Sequence, residues 1–153
     1  MADLAAAQKL LRTVFGFAEF RAGQAEIIET ILAGRDVLAV MPTGSGKSLC
    51  YQLPALMRGG LTIVVSPLIA LMRNQVAQLR GYGVAAASLN STNDFDENRT
   101  IVEQIARGEL RLAYVAPERL AKPETVALLK GARVGMLAVD EAHCSAPISV
   151  PNT

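Results

Sequence analysis

A chain of 153 residues with 15 Lys plus Arg against 14 Asp plus Glu has the length of one domain, and its net charge of +1 leaves no basic field to wrap a nucleic acid by charge alone. With 51% apolar and 19% charged residues it is too hydrophobic for a disordered chain and rich enough for a packed core. Its longest charge-free stretches, such as Gly59 to Met72, fall short of the roughly 20 residues that span a bilayer, so no membrane association is expected.

The chain opens Met1-Ala2-Asp3 without the basic and apolar regions of a secretory signal. Cys50 and Cys144 have neither CxxC nor Cys/His metal spacing, so they are expected as free thiols in a reducing, cytoplasmic compartment, with no zinc. The Asn-x-Ser/Thr matches at Asn90 and Asn98 then carry no glycan. Helical periodicity runs from about Asp3 to Val14, followed by a Phe/Gly-rich turn, Phe15 to Phe20. A second helix, about Ala22 to Ala33, has Ile27, Ile28, Ile31 and Leu32 on one side and Gly34 as its C-cap candidate.

Four runs, Asp36–Val40, Leu61–Val65, Leu110–Val115 and Val134–Val139, are apolar on both faces and are expected as buried strands, with Val84–Ser88 a weaker fifth. Helices are expected between them at about Lys47–Met57, Pro67–Leu79, Phe95–Arg107 and Pro123–Lys130. Strands alternating with helices define an α/β fold with a mostly parallel sheet covered on both faces, and ligands of such sheets gather at the carboxyl ends of the strands.

Between the first expected strand and the next helix stands Met41-Pro42-Thr43-Gly44-Ser45-Gly46-Lys47-Ser48. Glycines there let the backbone fold around an anion and aim N–H groups and a helix N-terminus at phosphate oxygens. Lys47 would reach the β- and γ-phosphates of a nucleotide, and the Ser48 hydroxyl would ligate Mg²⁺. Met41 stands where the strict pattern wants Gly; Gly44 supplies the extra freedom. The last strand runs into Asp140-Glu141-Ala142-His143. A carboxylate at that strand end can hold Mg²⁺, the role of Asp140, and its neighbour Glu141 can orient and deprotonate an attacking water. His143 is a hydrogen-bonding relay or a surface imidazole. Lys47, Asp140 and Glu141 are thus the catalytic candidates.

These segments, with others in order, resemble the N-terminal lobe of the RecQ family of superfamily 2 DNA helicases, from near the start to about Ser145. Leu11, Phe15-Gly16, Phe20-Arg21 and Gln24 resemble that family's adenine-recognition motif. Met41 to Ala55 resembles motif I, Val65 to Met72 motif Ia, Ser88-Leu89-Asn90-Ser91 motif Ib, Tyr114 to Leu120 the motif after it, and Asp140-Glu141-Ala142-His143-Cys144 a DEAH-type motif II. The resemblance implies a RecA-like P-loop NTPase lobe, ATP and Mg²⁺ as cofactors, and DNA at a single-strand/duplex junction as partner. It implies ATP hydrolysis driving 3′ to 5′ unwinding in repair and recombination, with the nucleoid as location if the source is bacterial.

On this reading Phe17, Arg21, Gln24, Thr43, Gly44, Ser45, Gly46, Lys47 and Ser48 bind the nucleotide. The Gln24 amide can pair with an adenine edge, and Arg21 or Phe17 can stack on the ring. Phe15 and Phe20 also fit as core staples. Ser66, Pro67, Asn90, Ser91 and Arg119 are the DNA candidates. Ser66-Pro67 has an equal explanation as N-cap and first residue of a helix, and Glu118-Arg119 as a surface ion pair.

After Cys144 the resemblance stops. Residues 1–145 are expected as a partial helicase ATP-binding domain, and 146–153, with two prolines and no charge, as a divergent tail. The strand carrying motif III normally lies between the phosphate-loop strand and the motif II strand. Without it those two strands lose their shared neighbour, and the expectation is an incomplete sheet, marginal folding and no unwinding by the chain alone. Two alternatives stand beside the enzyme reading: a non-catalytic nucleotide- or DNA-binding product, and a fragment of an RNA-directed superfamily 2 helicase.

Overall fold

The computed structural model describes residues 2–39 and 46–140. Seven helices and four strands are present among them: α1 Ala2–Thr13, α2 Gln24–Leu32, α3 Leu49–Met57, β1 Leu61–Val65, α4 Ile69–Gly81, β2 Ala86–Leu89, α5 Phe95–Ala106, β3 Leu112–Val115, α6 Pro117–Leu120, α7 Pro123–Gly131 and β4 Val134–Val139. The strands form one sheet in the order β2-β3-β1-β4, and every pairing is parallel. The α/β class and the mostly parallel sheet flanked by helices are therefore as the sequence predicts.

Strand alternation divides the core into two layers. Val64 of β1, Ala86 of β2, and Leu112 and Tyr114 of β3 pack with Leu11 of α1, Ile28 of α2, Leu53 of α3 and Met72, Val76 and Leu79 of α4. Leu61, Ile63 and Val65, Ala87 and Leu89, and Ala113 and Val115 point the other way, onto Ile101 and Ile105 of α5 and Leu128 and Leu129 of α7. Because successive strand residues face opposite sides, the doubly apolar runs seen in the sequence serve both layers at once.

α2 ends where expected: Gly34 lies just past the C-cap Ala33 at a φ of +82°, and its N–H donates to the Ile31 carbonyl. α5 begins at Asp94, whose side chain accepts from the Glu97 N–H, with Asp96 and Glu97 favourably placed in the first turn.

Two strand expectations are corrected. Residues 36–39 form no strand, and Leu38 is 88% exposed. An apolar run only becomes a strand when a ladder partner accepts its backbone, and no described strand pairs with this one. β4 is a strand, but among the described residues it pairs only with β1 and stands at the edge of the sheet, so it is not buried as β1, β2 and β3 are. Met136 and Ala138 pack on the first layer, while Leu137, in register with Ile63, stays 45% exposed because α5 and α7 do not reach over it. The two segments that the family resemblance places on either side of the motif III strand thus do not pair with each other.

Among the described residues no helix is long and apolar enough to cross a membrane.

Candidate nucleotide site

Three strand ends are pinned by one backbone hydrogen bond each to a neighbouring strand. Ser66 N–H donates to the Val115 carbonyl at 3.3 Å, Ala116 N–H to Leu89 at 3.2 Å and Asp140 N–H to Val65 at 2.8 Å. The loops that leave β1, β3 and β4 therefore start from fixed points at the carboxyl edge of the sheet, where α/β proteins bind ligands.

At this edge a cavity of about 420 Å³ opens between three parts of the chain. Phe17, Arg21 and Gln24 form one wall; Gly46, Lys47 and Ser48, leading into α3, form the second; Leu71, Gln75 and Gln78 of α4 and Asp140 after β4 form the third. The volume suits a ligand of nucleotide size.

Lys47 Nζ lies 3.8 Å from Asp140 Oδ1, so the two motifs, 93 positions apart by subtraction of their numbers, converge on one point. The Asp140 side chain is 6% exposed and that of Lys47 30%. Gln24 is 2% exposed; its Oε1 accepts from the Arg21 N–H at 2.8 Å and its Nε2 donates to the Gly46 carbonyl at 3.0 Å. A Cβ at Gly46, which has a φ of +75°, would come within 2.6 Å of that Nε2, so the close seating of α2 on the loop depends on glycine at 46. Phe17 is 47% exposed at the rim, whereas Phe15 is buried edge-on to Tyr82 at 5.5 Å and Phe20 packs against the same core. Of the three phenylalanines, two are core staples and Phe17 is the one open to a ligand.

Tyr51, Gln52 and Tyr114 fall inside the motif segments without a role that the motifs assign, and Gln75 lies outside those segments. Residues 49 to 55 of α3 are all buried, so its polar members must find partners inside the protein. That requirement was the available signal. The Tyr51 hydroxyl donates to Asp140 Oδ2 at 3.0 Å and lies 2.9 Å from the Gln75 amide oxygen, and Gln52 Nε2 donates to the Tyr114 hydroxyl at 2.9 Å. Burial pushes the Tyr114 phenol up to about 12 and the Cys50 thiol up to about 11, and it drives Tyr51 well above the usual phenol range, so all three stay protonated near neutral pH.

Thr43, Gly44, Ser45, Glu141, His143, Cys144 and the tail at 146–153 lie outside the described residues. The donor set that is described fits a magnesium nucleotide. An ammonium and a helix N-terminus would face phosphate, and a hydroxyl and a carboxylate would supply the hard oxygens Mg²⁺ prefers. Among the described residues no group of three or more His, Cys, Asp or Glu side chains is gathered for a metal held by protein alone, which leaves substrate phosphates and water to complete such a shell.

The DNA candidates divide. Ser66 is 2% exposed, and its hydroxyl accepts from the Leu68 N–H at 3.2 Å. Contrary to the expected N-cap, it does not cap α4 directly, because that helix starts at Ile69 with Leu68 in the N-cap position, and Pro67 lies exposed before it rather than at its first residue. Asn90 is fully buried: its Oδ1 accepts from the N–H and hydroxyl of Thr92 at 2.9 and 2.6 Å, its Nδ2 donates to Ser88 Oγ at 3.1 Å, and its carbonyl accepts from Asn98 Nδ2 at 3.0 Å. The expected contact through the Asn90 side chain is therefore corrected, since that group is turned inward to shape the loop, and Ser91 is what the loop exposes. Replacing Asn90 by Ala strands the Thr92 N–H and is expected to cost about 2–3 kcal/mol in thermal denaturation, whereas Ser91→Ala should stay within about 0.5 kcal/mol of wild type. Arg119, in α6, is partly buried, and its Nε has no hydrogen-bond partner among the described residues.

A parallel α/β lobe whose strand-end carboxylate meets a lysine at the head of a helix defines a nucleotide-binding domain of the P-loop kind. The chain belongs to the DEAD/DEAH box helicase family, whose sequence pattern matches residues 21–149. It is 46% identical over 138 residues to "ATP-dependent DNA helicase RecQ" of Haemophilus influenzae, covering 90% of this chain and 22% of that protein. To the Bacillus subtilis protein of the same name it is 47% identical over 139 residues, covering 90% and 24%. The chain thus spans about a fifth to a quarter of the length of these curated relatives. Among solved structures, a hypothetical ATP-dependent RNA helicase from Sulfolobus tokodaii superposes with a TM-score of 0.70 at 23% identity, over 93% of this chain and 41% of that one, and supports the fold.

Proposed function

We propose that this chain is the ATP-binding lobe of a RecQ-type DNA helicase. The observation that carries the reading is the meeting of Lys47 and Asp140 at 3.8 Å in a cavity whose opposite wall is the Phe17-to-Gln24 turn. Phosphoryl transfer needs positioning and neutralisation of charge more than covalent help from the protein. Lys47 holds the β- and γ-phosphates, with Thr43, Gly44, Ser45 and Gly46 as the backbone cradle. Phe17 and Arg21 flank the base, and Gln24 holds their turn against Gly46. Ser48 and Asp140 would hold Mg²⁺, which neutralises charge on the phosphates when bound. Glu141 orients and deprotonates the attacking water.

DNA is the proposed polymer substrate, at a single-strand/duplex junction, and the protein would work in the compartment that holds DNA. The relatives at 46% and 47% identity carry DNA helicase names, which favours DNA over the RNA-directed alternative. With a net charge of +1 the lobe has to grip strands through exposed loop groups such as Pro67 and Ser91, and through Arg119, rather than through a basic field.

The test is ATP hydrolysis by this lobe grafted in place of the corresponding lobe of the Haemophilus influenzae relative, with single-stranded DNA and RNA of one sequence. Stimulation by DNA but not RNA, with 3′ to 5′ strand separation, is the expected result. Equal stimulation by RNA sinks the DNA assignment, and absence of nucleotide binding sinks the enzyme reading.

A further inference from the structure

Behind the cavity runs a short polar chain to which the motif roles assign no task. Tyr51, in the first turn of α3, is 8% exposed, and its hydroxyl meets both Asp140 Oδ2 at 3.0 Å and the Gln75 side-chain amide at 2.9 Å. A phenol carries one proton, and an ionised carboxylate is the stronger acceptor, so the proton goes to Asp140. Gln75 Oε1 lies within reach of the same proton, so the phenol sits between a carboxylate and an amide oxygen. The contacts run from Gln75 on α4 through the Tyr51 hydroxyl to Asp140 in the site.

Tyr51 is not free to swing. Its ring stands edge-on to Tyr114 at 6.5 Å, and Tyr114 is itself held by Gln52. Asp140 is fixed at two points, its N–H on the Val65 carbonyl and its Oδ2 on Tyr51, which leaves Oδ1 on the Lys47 side of the cavity.

We propose that Tyr51 is a positioning residue that sets the rotation of the Asp140 carboxylate, so that Oδ1 stays on the cavity side beside Lys47, where a nucleotide-bound divalent cation would be held, and that Gln75 ties this setting to α4. The proposal rests on the nucleotide-site reading above. The competing account is a core tyrosine whose hydroxyl takes whatever acceptor lies nearby.

The experiment follows binding of a fluorescent N-methylanthraniloyl-ATP to the 153-residue chain, in EDTA and across a Mg²⁺ titration, for wild type, Tyr51→Phe, Gln75→Glu and Lys47→Ala. Mn²⁺ bound alongside the nucleotide is counted by electron paramagnetic resonance. Tyr51→Phe keeps the ring and its packing and loses only the hydroxyl. Its affinity in EDTA should stay within about twofold of wild type, while half-saturating Mg²⁺ rises about tenfold, the usual effect of losing one hydrogen bond to a charged group. Gln75→Glu turns the amide oxygen beside that phenol into a charged rival acceptor and should raise half-saturating Mg²⁺ in the same direction. Unchanged Mg²⁺ dependence in both variants, or affinities with and without metal that fall together, overturns the proposal. If Lys47→Ala binds nucleotide as wild type does, the nucleotide-site reading itself fails, and the proposal falls with it.

Discussion

Replacing Lys47 by Ala is expected to weaken ATP binding by the chain at least about tenfold, and to lower hydrolysis by the grafted lobe at least about a hundredfold. Lys47 is the cation described on the cavity side of the Asp140 carboxylate, and it stands one residue before Ser48, the N-cap of α3. Removing it takes away the positive charge that phosphate oxygens would meet and leaves the Asp140 carboxylate facing them across the cavity. The same substitution should leave the thermal midpoint nearly unchanged. A lysine that keeps 30% of its side chain in solvent contributes at most about 1 kcal/mol through its ion pair. Lys47→Arg keeps the charge but brings a planar fork in place of a compact ammonium, and it should recover only part of the lost affinity. Fluorescent nucleotide titration, phosphate release and a thermal melt on the same samples separate these effects. A Lys47→Ala variant that hydrolyses ATP at the wild-type rate would remove the phosphate site from this end of the sheet.

The largest effect on stability is expected at Gly60. This residue sits immediately before β1 with a φ of +90°, and a Cβ there would collide with the Arg133 carbonyl. That same carbonyl accepts the Leu61 N–H at 2.7 Å, the bond that starts the pairing of β1 with β4, and the register shifts between Leu61 and Thr62 just beyond it. From the other side, a Cβ on Gly135 would strike the Gly59 carbonyl. Two glycine-bearing backbones therefore pass in direct contact where the edge strand joins the sheet, and neither can retreat without breaking the ladder. Gly60→Ala combines left-handed strain with this collision, and about 3 kcal/mol is expected to be lost, a drop of roughly 10 °C in midpoint. Gly108 is the control, since its φ is +70° but nothing lies within 4 Å of an added Cβ, so Gly108→Ala should cost only about 1–2 kcal/mol. Because β4 carries Asp140 at its end, Gly60→Ala should also raise the Mg²⁺ needed for nucleotide binding, and Gly108→Ala should not. Equal melts for the two variants would show that the β1–β4 crossing tolerates a methyl group.

How far the sequence reached can be judged element by element. The six expected helices all form, with bounds shifted by a few residues, because an apolar stripe at helical spacing and a cap such as Asp94 or Gly34 are local signals. Three of the four main strands and the weaker fifth form as well. α6, four residues after Ala116, lies inside a motif segment, and so short a turn has no periodicity to detect. Lys47, Ser48 and Asp140 were legible at the site because phosphate chemistry restricts which residues can follow a strand. Ser66 and Asn90 were named from the same sequence, yet their burial and inward bonding were not legible: whether a polar side chain faces solvent or its own loop depends on the chain closing over it.

By itself, then, the sequence determined the alternation of helices and strands, the motif order and the residue types that can hold a phosphate and a divalent cation. Those follow from side-chain period and from the chemistry of single residues. Only the tertiary structure decided which apolar runs became strands. Residues 36–39 and Val134–Val139 are both apolar runs, but among the described residues a ladder partner exists only for the second. Only the tertiary structure, too, brought Tyr51 to Asp140 across 89 positions and Gln75 to Tyr51 across 24. A hydrogen bond between residues so far apart leaves no spacing to read, since it exists only once parallel strands and the helices on them have fixed both ends.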